Sequence, residues 1–329
     1  MSGDAPKRTF RETYTLRNIR DEIVHRLSQM RGRAPVEPAR TEEPVPYDDT
    51  HALSVGRFYD QHHDSFMRVY GDVIQAFRTR DVRHLLDYQL GSIGFKAGQR
   101  ALDAGCGVAA PAIHFARQAD VRIDAITISE KQCEAARRRV RDEGLSDRVT
   151  VVCGDYHRLA DRFPGQAYDV VYFLESFGHS RDKRRLIEAC WEVLRPGGTL
   201  YIKDLFRRVP LRPEHAVRIE REIGRIEDAY RYQIGDLNEV LDQLRGRGFV
   251  LDRLQSVDLD LEDFEDLAIS NEFQELTGIA RIHDWEQYVF PVDFFEVKCT
   301  KPEFSLEERL DRHFLQQRFH LRAARPPTR

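Results

Sequence analysis

Residues 101–107 read Ala101-Leu102-Asp103-Ala104-Gly105-Cys106-Gly107. A short apolar run ends at Asp103, and the chain turns through two glycines into IHFARQA, whose apolar spacing is helical. Glycine accepts a positive φ and lets a ligand approach the backbone, so the segment reads as strand, binding turn and helix. Working outward, RIDAITIS is a strand and EKQCEAARRRVRDEG a helix. RVTVVCGD and AYDVVYFLES are strands, RDKRRLIEACWEVL is a helix and TLYIKDLF a strand. This alternation predicts a mostly parallel sheet with helices on both faces.

The flanks follow a looser pattern. RFYDQHHDSFMRVYGD and RDVRHLLDYQLGSIGF, within residues 55–95, read as two helices. Residues 7–33 contain the amphipathic stretch TLRNIRDEIVHRLSQM. RAPVEPARTEEPVPYDD then reads as a linker, because proline and like charges oppose packing. Residues 207–240 are charged and helical in pattern, and LNEVLDQLRGRGF is a further sheet-covering helix. FVLDRLQSVDLDL and VDFFEVKCTK read as strands with a helical stretch between them. The expected fold is therefore α/β, a seven-stranded, mostly parallel sheet with helices on both faces. A helical N-terminal extension and linker occupy residues 1–50. The main domain spans 51–300 with a helical lid insert at 207–290, and 301–329 form a tail.

Composition narrows the function classes. The chain has 329 residues, 41% hydrophobic, enough to bury a full core. A net charge of −4 gives no support for broad nucleic-acid or anionic-membrane binding. The five cysteines include no C-x-x-C pair, so neither a zinc site nor a disulfide framework is expected. No apolar run approaches the roughly 20 residues of a membrane span, and MSGDAPKRTF lacks a signal core. A cytoplasmic setting is expected.

In open α/β sheets the ligand crevice lies beyond the carboxyl ends of the strands. The formal dinucleotide match, Gly105-x-Gly107-x-x-Ala110, stands alone, and the second strand carries Thr127 where a ribose-binding acid belongs. S-adenosylmethionine (SAM) suits the same places better. Asp103 can orient its amino-acid end, Gly154-Asp155 can meet the adenine amino group, and Leu174-Glu175-Ser176 ends the next strand where substrate chemistry would sit.

LDAGCG, GD, YDVV and LRPGG, in this order over residues 95–206, resemble the class I SAM-dependent methyltransferases, which implies a Rossmann-like fold. Thr127-Ile128-Ser129 with Gln132 resembles the T-[IL]-S-x-x-Q signature of one branch: the cyclopropane fatty acid synthases and the sterol and prenyl-diphosphate C-methyltransferases. Glu175-Ser176-x-x-His179 and PVDFFEVKCTKP resemble further segments of it. The sequence departs from the pattern at Ala109, where the motif has a third glycine, and no sterol- or fatty-acid-specific signature surrounds these motifs.

The resemblance implies a cofactor set of Asp103, Gly105, Cys106, Gly107, Thr127, Ile128, Ser129, Gln132, Gly154, Asp155, Tyr156 and Glu175. It implies C-methylation of an alkene through a carbocation, with Glu175 as base, His179 beside it, and Tyr59 as the tyrosine that closes over the site. Phe177 and Phe206 could face a cation, with ordinary core packing as the alternative. Arg207 and Arg208 could bind a diphosphate, with a solvated loop as the alternative, and His63 could touch substrate. Mg²⁺ would enter only with a diphosphate, and no all-protein metal site is expected. Two other functions remain open: an O- or N-methyltransferase using His179 or His63 as base, and a non-catalytic SAM-binding partner subunit. The partner is a small molecule in the enzyme readings, and a homo-oligomer is compatible with all of them.

Overall fold

A computed structural model describes residues 47–165, 167–259, 272, 276 and 289–303. The expected N-terminal helix and most of the linker, the helical stretch at 260–288 and the tail beyond 303 lie outside them. The chain divides into Met1–Asp48 and Asp49–Arg329, and everything below concerns the second unit.

Two helices, α1 (Thr50–Gln61) and α2 (His63–Val69), replace the single helix expected over 57–72; they part at His62. α3 (Val82–Ile93) is capped by the Asp81 carboxylate and ends at Gly94 in the left-handed conformation. The alternating core follows: β1 (Gln99–Ala104), α4 (Ala110–Gln118), β2 (Val121–Thr127), α5 (Glu130–Asp142), β3 (Val149–Cys153), α6 (Leu159–Arg162), β4 (Tyr168–Leu174), α7 (Lys183–Val193) and β5 (Leu194–Arg207). α8 (Pro213–Tyr230), α9 (Leu237–Arg247), β6 (Val250–Ser256) and β7 (Val292–Thr300) complete it.

The sheet has the expected seven strands, in the order β3-β2-β1-β4-β5-β7-β6, and only β7 runs antiparallel to its neighbours. β1, β2 and β4 are buried on nearly every residue because helices cover both faces. Ile113, Phe115 and Val140 close one face, and Leu186, Ile187 and Val193 the other.

One expectation changes. The insert at 207–290 is not a single lid: α9 packs its Val240 and Leu244 into the sheet core, and β6 is an edge strand hydrogen-bonded to β7. LRPGG, despite its proline and two glycines, lies within β5, where Leu194 pairs with Tyr168 before a register shift.

The chain order reverses between β1 and β4. Strands β2 and β3 lie on one side and β5 on the other, so the crevice beyond their carboxyl ends is the geometric place for a ligand.

Candidate functional site

A cleft partly open to solvent occupies this position. Asp103, Gly105, Cys106, Gly107, Thr127, Ile128, Gln132, Asp155, Tyr156 and Glu175 line it, and Tyr59 and His179 share its wall. Ser129 and Gly154, expected in the cofactor set, are not on the lining.

β1 delivers Asp103 to the floor. Its residue is 2% exposed, and Oδ2 has no hydrogen-bond partner in the protein. Burial raises its carboxyl to about 7, with Tyr172 pulling the other way. A buried carboxylate oxygen left unmet is costly, so the site fits a cationic ligand group there. Gly105 has φ +89°, and a Cβ on it would lie 2.4 Å from the Ser176 Cβ, so glycine is required by both backbone and space. Gly107, at φ +55°, opens onto free space. Cys106 is buried, which pushes its thiol well above the usual range and leaves it a small packing residue.

The Thr127–Gln132 turn divides its side chains. The Thr127 hydroxyl donates to Gln132 Oε1 at 3.0 Å, and both residues line the cleft. Ser129 instead caps α5, accepting the Gln132 N–H at 3.1 Å, and its hydroxyl donates to Asp60 Oδ1 at 2.6 Å. It is fully buried behind the cleft. Asp155 Oδ1 accepts the His157 backbone N–H at 2.9 Å and contacts its ring at 2.7 Å, which sets the carboxylate on the lining. The Tyr156 hydroxyl donates to the Ser176 carbonyl at 3.1 Å. An unmet carboxylate, a glycine turn without side-chain bulk and a ring of hydroxyl, amide and carboxylate groups fit the amino-acid, ribose and adenine parts of SAM.

The opposite wall departs from the expectation. Glu175 stands at the end of β4 with φ +58°, a left-handed conformation rare outside glycine. Its carboxylate pairs with Lys203, accepts the Ala76 N–H, and accepts the Phe77 N–H at 3.2 Å. Lys203, fully buried in β5, also donates to Gln75 Oε1 at 2.8 Å and to the Phe77 carbonyl at 3.2 Å. Glu175 is thus engaged in holding residues 75–77 against the cleft and is not a free carboxylate base. A carboxylate buried at a strand end is costly unless used or paired, and this one is paired.

A different pair is set for proton transfer. The Tyr59 hydroxyl lies 2.9 Å from His179 Nε2, and His179 Nδ1 lies 3.2 Å from the Arg231 carbonyl. A carbonyl only accepts, so Nδ1 carries the proton and Nε2 accepts from Tyr59. Burial lowers the His179 imidazole to about 4 and raises the Tyr59 phenol, so both are neutral near pH 7. The Tyr232 hydroxyl donates to the Glu175 carbonyl at 2.7 Å and lies 3.2 Å from Asp204 Oδ1, and its ring fills the space beside Gly178, where a Cβ would meet it at 2.1 Å.

The expected substrate residues are not brought here. Phe177 and Phe206 are 1% exposed and belong to the core under α7. Arg207 pairs with Glu220, and Arg208 bonds Asp293 at 2.6 Å; neither lines the cleft. His63 opens α2, half-buried and away from the lining. Among the described residues no cluster of His, Cys, Asp and Glu could hold a metal, and no helix is long and apolar enough to cross a membrane. Sequence reasoning missed Lys203, Tyr232, Asp60 and residues 75–77. Only Lys203 left a signal, a charge inside the otherwise apolar strand TLYIKDLF.

Residues 101–198 match the family described as methyltransferase domain. Over 180 residues the chain is 34% identical to 27-O-demethylrifamycin SV methyltransferase of Amycolatopsis mediterranei, covering 52% of this chain and 65% of that protein. Over 145 residues it is 31% identical to sterol 24-C-methyltransferase erg6 of Aspergillus fumigatus, covering 43% of this chain and 37% of that protein. The chain thus spans less than two thirds of these curated relatives. The solved structure of the [4+2]-cyclase SpnF superposes with a TM-score of 0.64 at 23% identity, over 76% of this chain and 96% of that one, a likeness of fold.

Proposed function

We propose, starting from a chain that belongs to the class I SAM-dependent methyltransferases, that it methylates a hydroxyl group of a small organic acceptor. The observation that carries this reading is the Tyr59–His179 pair on the wall shared with the cofactor-binding turn. When bound, SAM supplies an electrophilic methyl group on its sulfonium. Asp103, Thr127, Gln132 and Asp155 would hold it. An acceptor hydroxyl placed against the Tyr59 oxygen donates its proton there as the Tyr59 proton moves to His179 Nε2. The Arg231 carbonyl, bonded to Nδ1–H, stabilises the imidazolium that forms. Burial leaves His179 unprotonated throughout the physiological range, so its Nε2 lone pair is free to receive the proton. The O-methyltransferase named among the relatives supports an oxygen acceptor.

A second reading keeps the alkene acceptor of the sterol and prenyl C-methyltransferases. It is favoured by the aromatic surface at the pair: Tyr59 stacks on Phe66 at 5.0 Å, and the His179 and Tyr232 rings lie 4.2 Å apart. The Tyr59 ring, which these contacts hold on the cleft lining, would stabilise a carbocation in an isoprenoid or lipid-like chain. The base is then the Tyr59–His179 pair. Mg²⁺ enters this reading only with a diphosphate acceptor.

The test is titration with S-adenosylhomocysteine, then mass spectrometry of reactions with SAM and a panel of phenols, aliphatic alcohols, sterols and prenyl diphosphates. Methylation on oxygen that is lost in Tyr59→Phe and His179→Ala, with S-adenosylhomocysteine binding kept, supports the first reading. Methylation on carbon supports the second. Cofactor binding without turnover on any acceptor points to a SAM-binding partner subunit.

A further inference from the structure

Helix α1 brings Tyr59 to the cleft on its last turn, and the next residue ties that turn to the cofactor motif. Asp60 Oδ1 accepts the Ser129 hydroxyl at 2.6 Å and the Lys131 backbone N–H at 3.0 Å. Lys131 N–H is one of the first-turn donors of α5 that no helical carbonyl can satisfy, and a carboxylate there also meets the positive end of the helix dipole. One turn earlier, Gly56 lies flush on the same motif: a Cβ there would stand 3.1 Å from the Ile128 carbonyl oxygen and 3.4 Å from its Cγ1. The other end of α1 is tied by the His51 ring to the His179 carbonyl at 3.0 Å and, more loosely, by Asp49 to Arg158 at 3.5 Å, with both side chains of that ion pair 46% exposed. A contact that exposed contributes little, whereas a charge-assisted, two-donor contact at a partly buried site is among the stronger polar interactions.

The Thr127–Gln132 turn therefore has two sides. Thr127, Ile128 and Gln132 face the cleft, and Ser129 and Lys131 face Asp60. The Ser129 hydroxyl has a single proton and gives it to Asp60, so this serine of the T-I-S-x-x-Q motif serves α1. A ligand resting on one side of the turn steadies the other side, and α1 with it.

We propose that Asp60 is a positioning residue that couples occupancy of the cofactor cleft to the placement of Tyr59 against His179. The coupling rests on the cofactor reading given above, whereas the latch between α1 and α5 does not. By linkage, a latch that a bound cofactor strengthens must in turn strengthen cofactor binding by the same factor.

Two measurements separate the latch from the cofactor reading. Hydrogen exchange of the ligand-free protein reports on residues 50–61, and calorimetric titration with S-adenosylhomocysteine reports on coupling. Asp60→Leu removes the acceptor: amides of 50–61 exchange faster, and affinity falls about tenfold. Asp60→Asn keeps an acceptor oxygen for both donors and stays within about threefold of wild type. Gly56→Ala improves helix propensity, so it folds, yet pushes α1 off Ile128 and shifts both readouts in the direction of Asp60→Leu. Unchanged exchange over 50–61 in both Asp60→Leu and Gly56→Ala overturns the latch. Faster exchange with wild-type affinity in both overturns the coupling. A wild-type chain that does not bind S-adenosylhomocysteine overturns the cofactor reading and the coupling together, leaving the exchange result to decide the latch.

Discussion

Two buried carboxylates flank the point where the sheet reverses, and they are built differently. Asp103, at the end of β1, is 2% exposed and has an oxygen that the protein leaves without a partner. Glu175, at the end of β4, is 7% exposed and is met by an ammonium and two backbone N–H groups. The first arrangement is incomplete without a ligand. The second is complete without one, and what it completes is the wall. The contrast teaches that burial and position at a strand end do not by themselves mark a reacting group. The state of the carboxylate's hydrogen-bonding oxygens does.

The largest effect expected is on the completed side. Lys203→Met leaves Glu175 buried and unpaired and should cost about 3–5 kcal/mol in stability. Glu175→Gln/Lys203→Met should recover much of that, since a neutral amide needs no counter-charge. Urea denaturation of the three chains checks this, and a Lys203→Met protein as stable as wild type would mean that Glu175 is not architectural. Next is the proton relay on the same wall. Tyr59→Phe and His179→Ala should each lower methyl transfer about 100-fold or more, with S-adenosylhomocysteine affinity unchanged. His179 sits at about 4 when folded and near 6.5 when unfolded. The unfolded chain therefore takes up this proton first as pH falls, and the fold loses stability between about pH 6.5 and 4. Thermal unfolding of His179→Gln should be less acid-sensitive in that window.

Asp103 gives a smaller effect with opposite signs in two assays. Burial holds its carboxyl at about 7 in the fold against the ordinary aspartate 3.8. The folded chain holds the proton that the unfolded chain has lost, so stability falls as pH rises from about 4 to 7. Asp103→Asn should therefore melt higher than wild type at pH 8, yet bind S-adenosylhomocysteine about 10- to 100-fold more weakly. A variant that loses stability and keeps affinity would break the contrast with Glu175. The smallest effect is expected at Arg208→Ala, whose half-exposed pair with Asp293 is worth under about 1 kcal/mol and lies off the cleft. Calorimetry and turnover should both stay near wild type.

The legibility of the two walls differs for a geometric reason. The glycine turn, the Thr127–Gln132 turn and Asp155 are each short stretches whose shape comes from neighbours in the chain, and their residue types were readable at fixed spacings. Even there, the acceptor of the Ser129 hydroxyl proton is Asp60, 69 residues away. On the other wall every decisive partner is distant: Phe77 is 98 residues from Glu175, Tyr59 is 120 from His179, and Gln75 is 128 from Lys203. No spacing rule connects such residues. Reading Arg207 and Arg208 as anion ligands failed similarly, because Glu220 and Asp293 neutralise them from other elements.

The strand–helix alternation, the covered parallel sheet and the glycine turn were written into residues 101–206, since apolar periodicity and backbone freedom are properties of short segments. Which carboxylate is met and which is left open, and which phenol reaches which imidazole, depends on how β4, β5, α1 and the 75–77 segment pack. Charge pairing and desolvation are set by distances in space, and those distances exist only once the chain has folded.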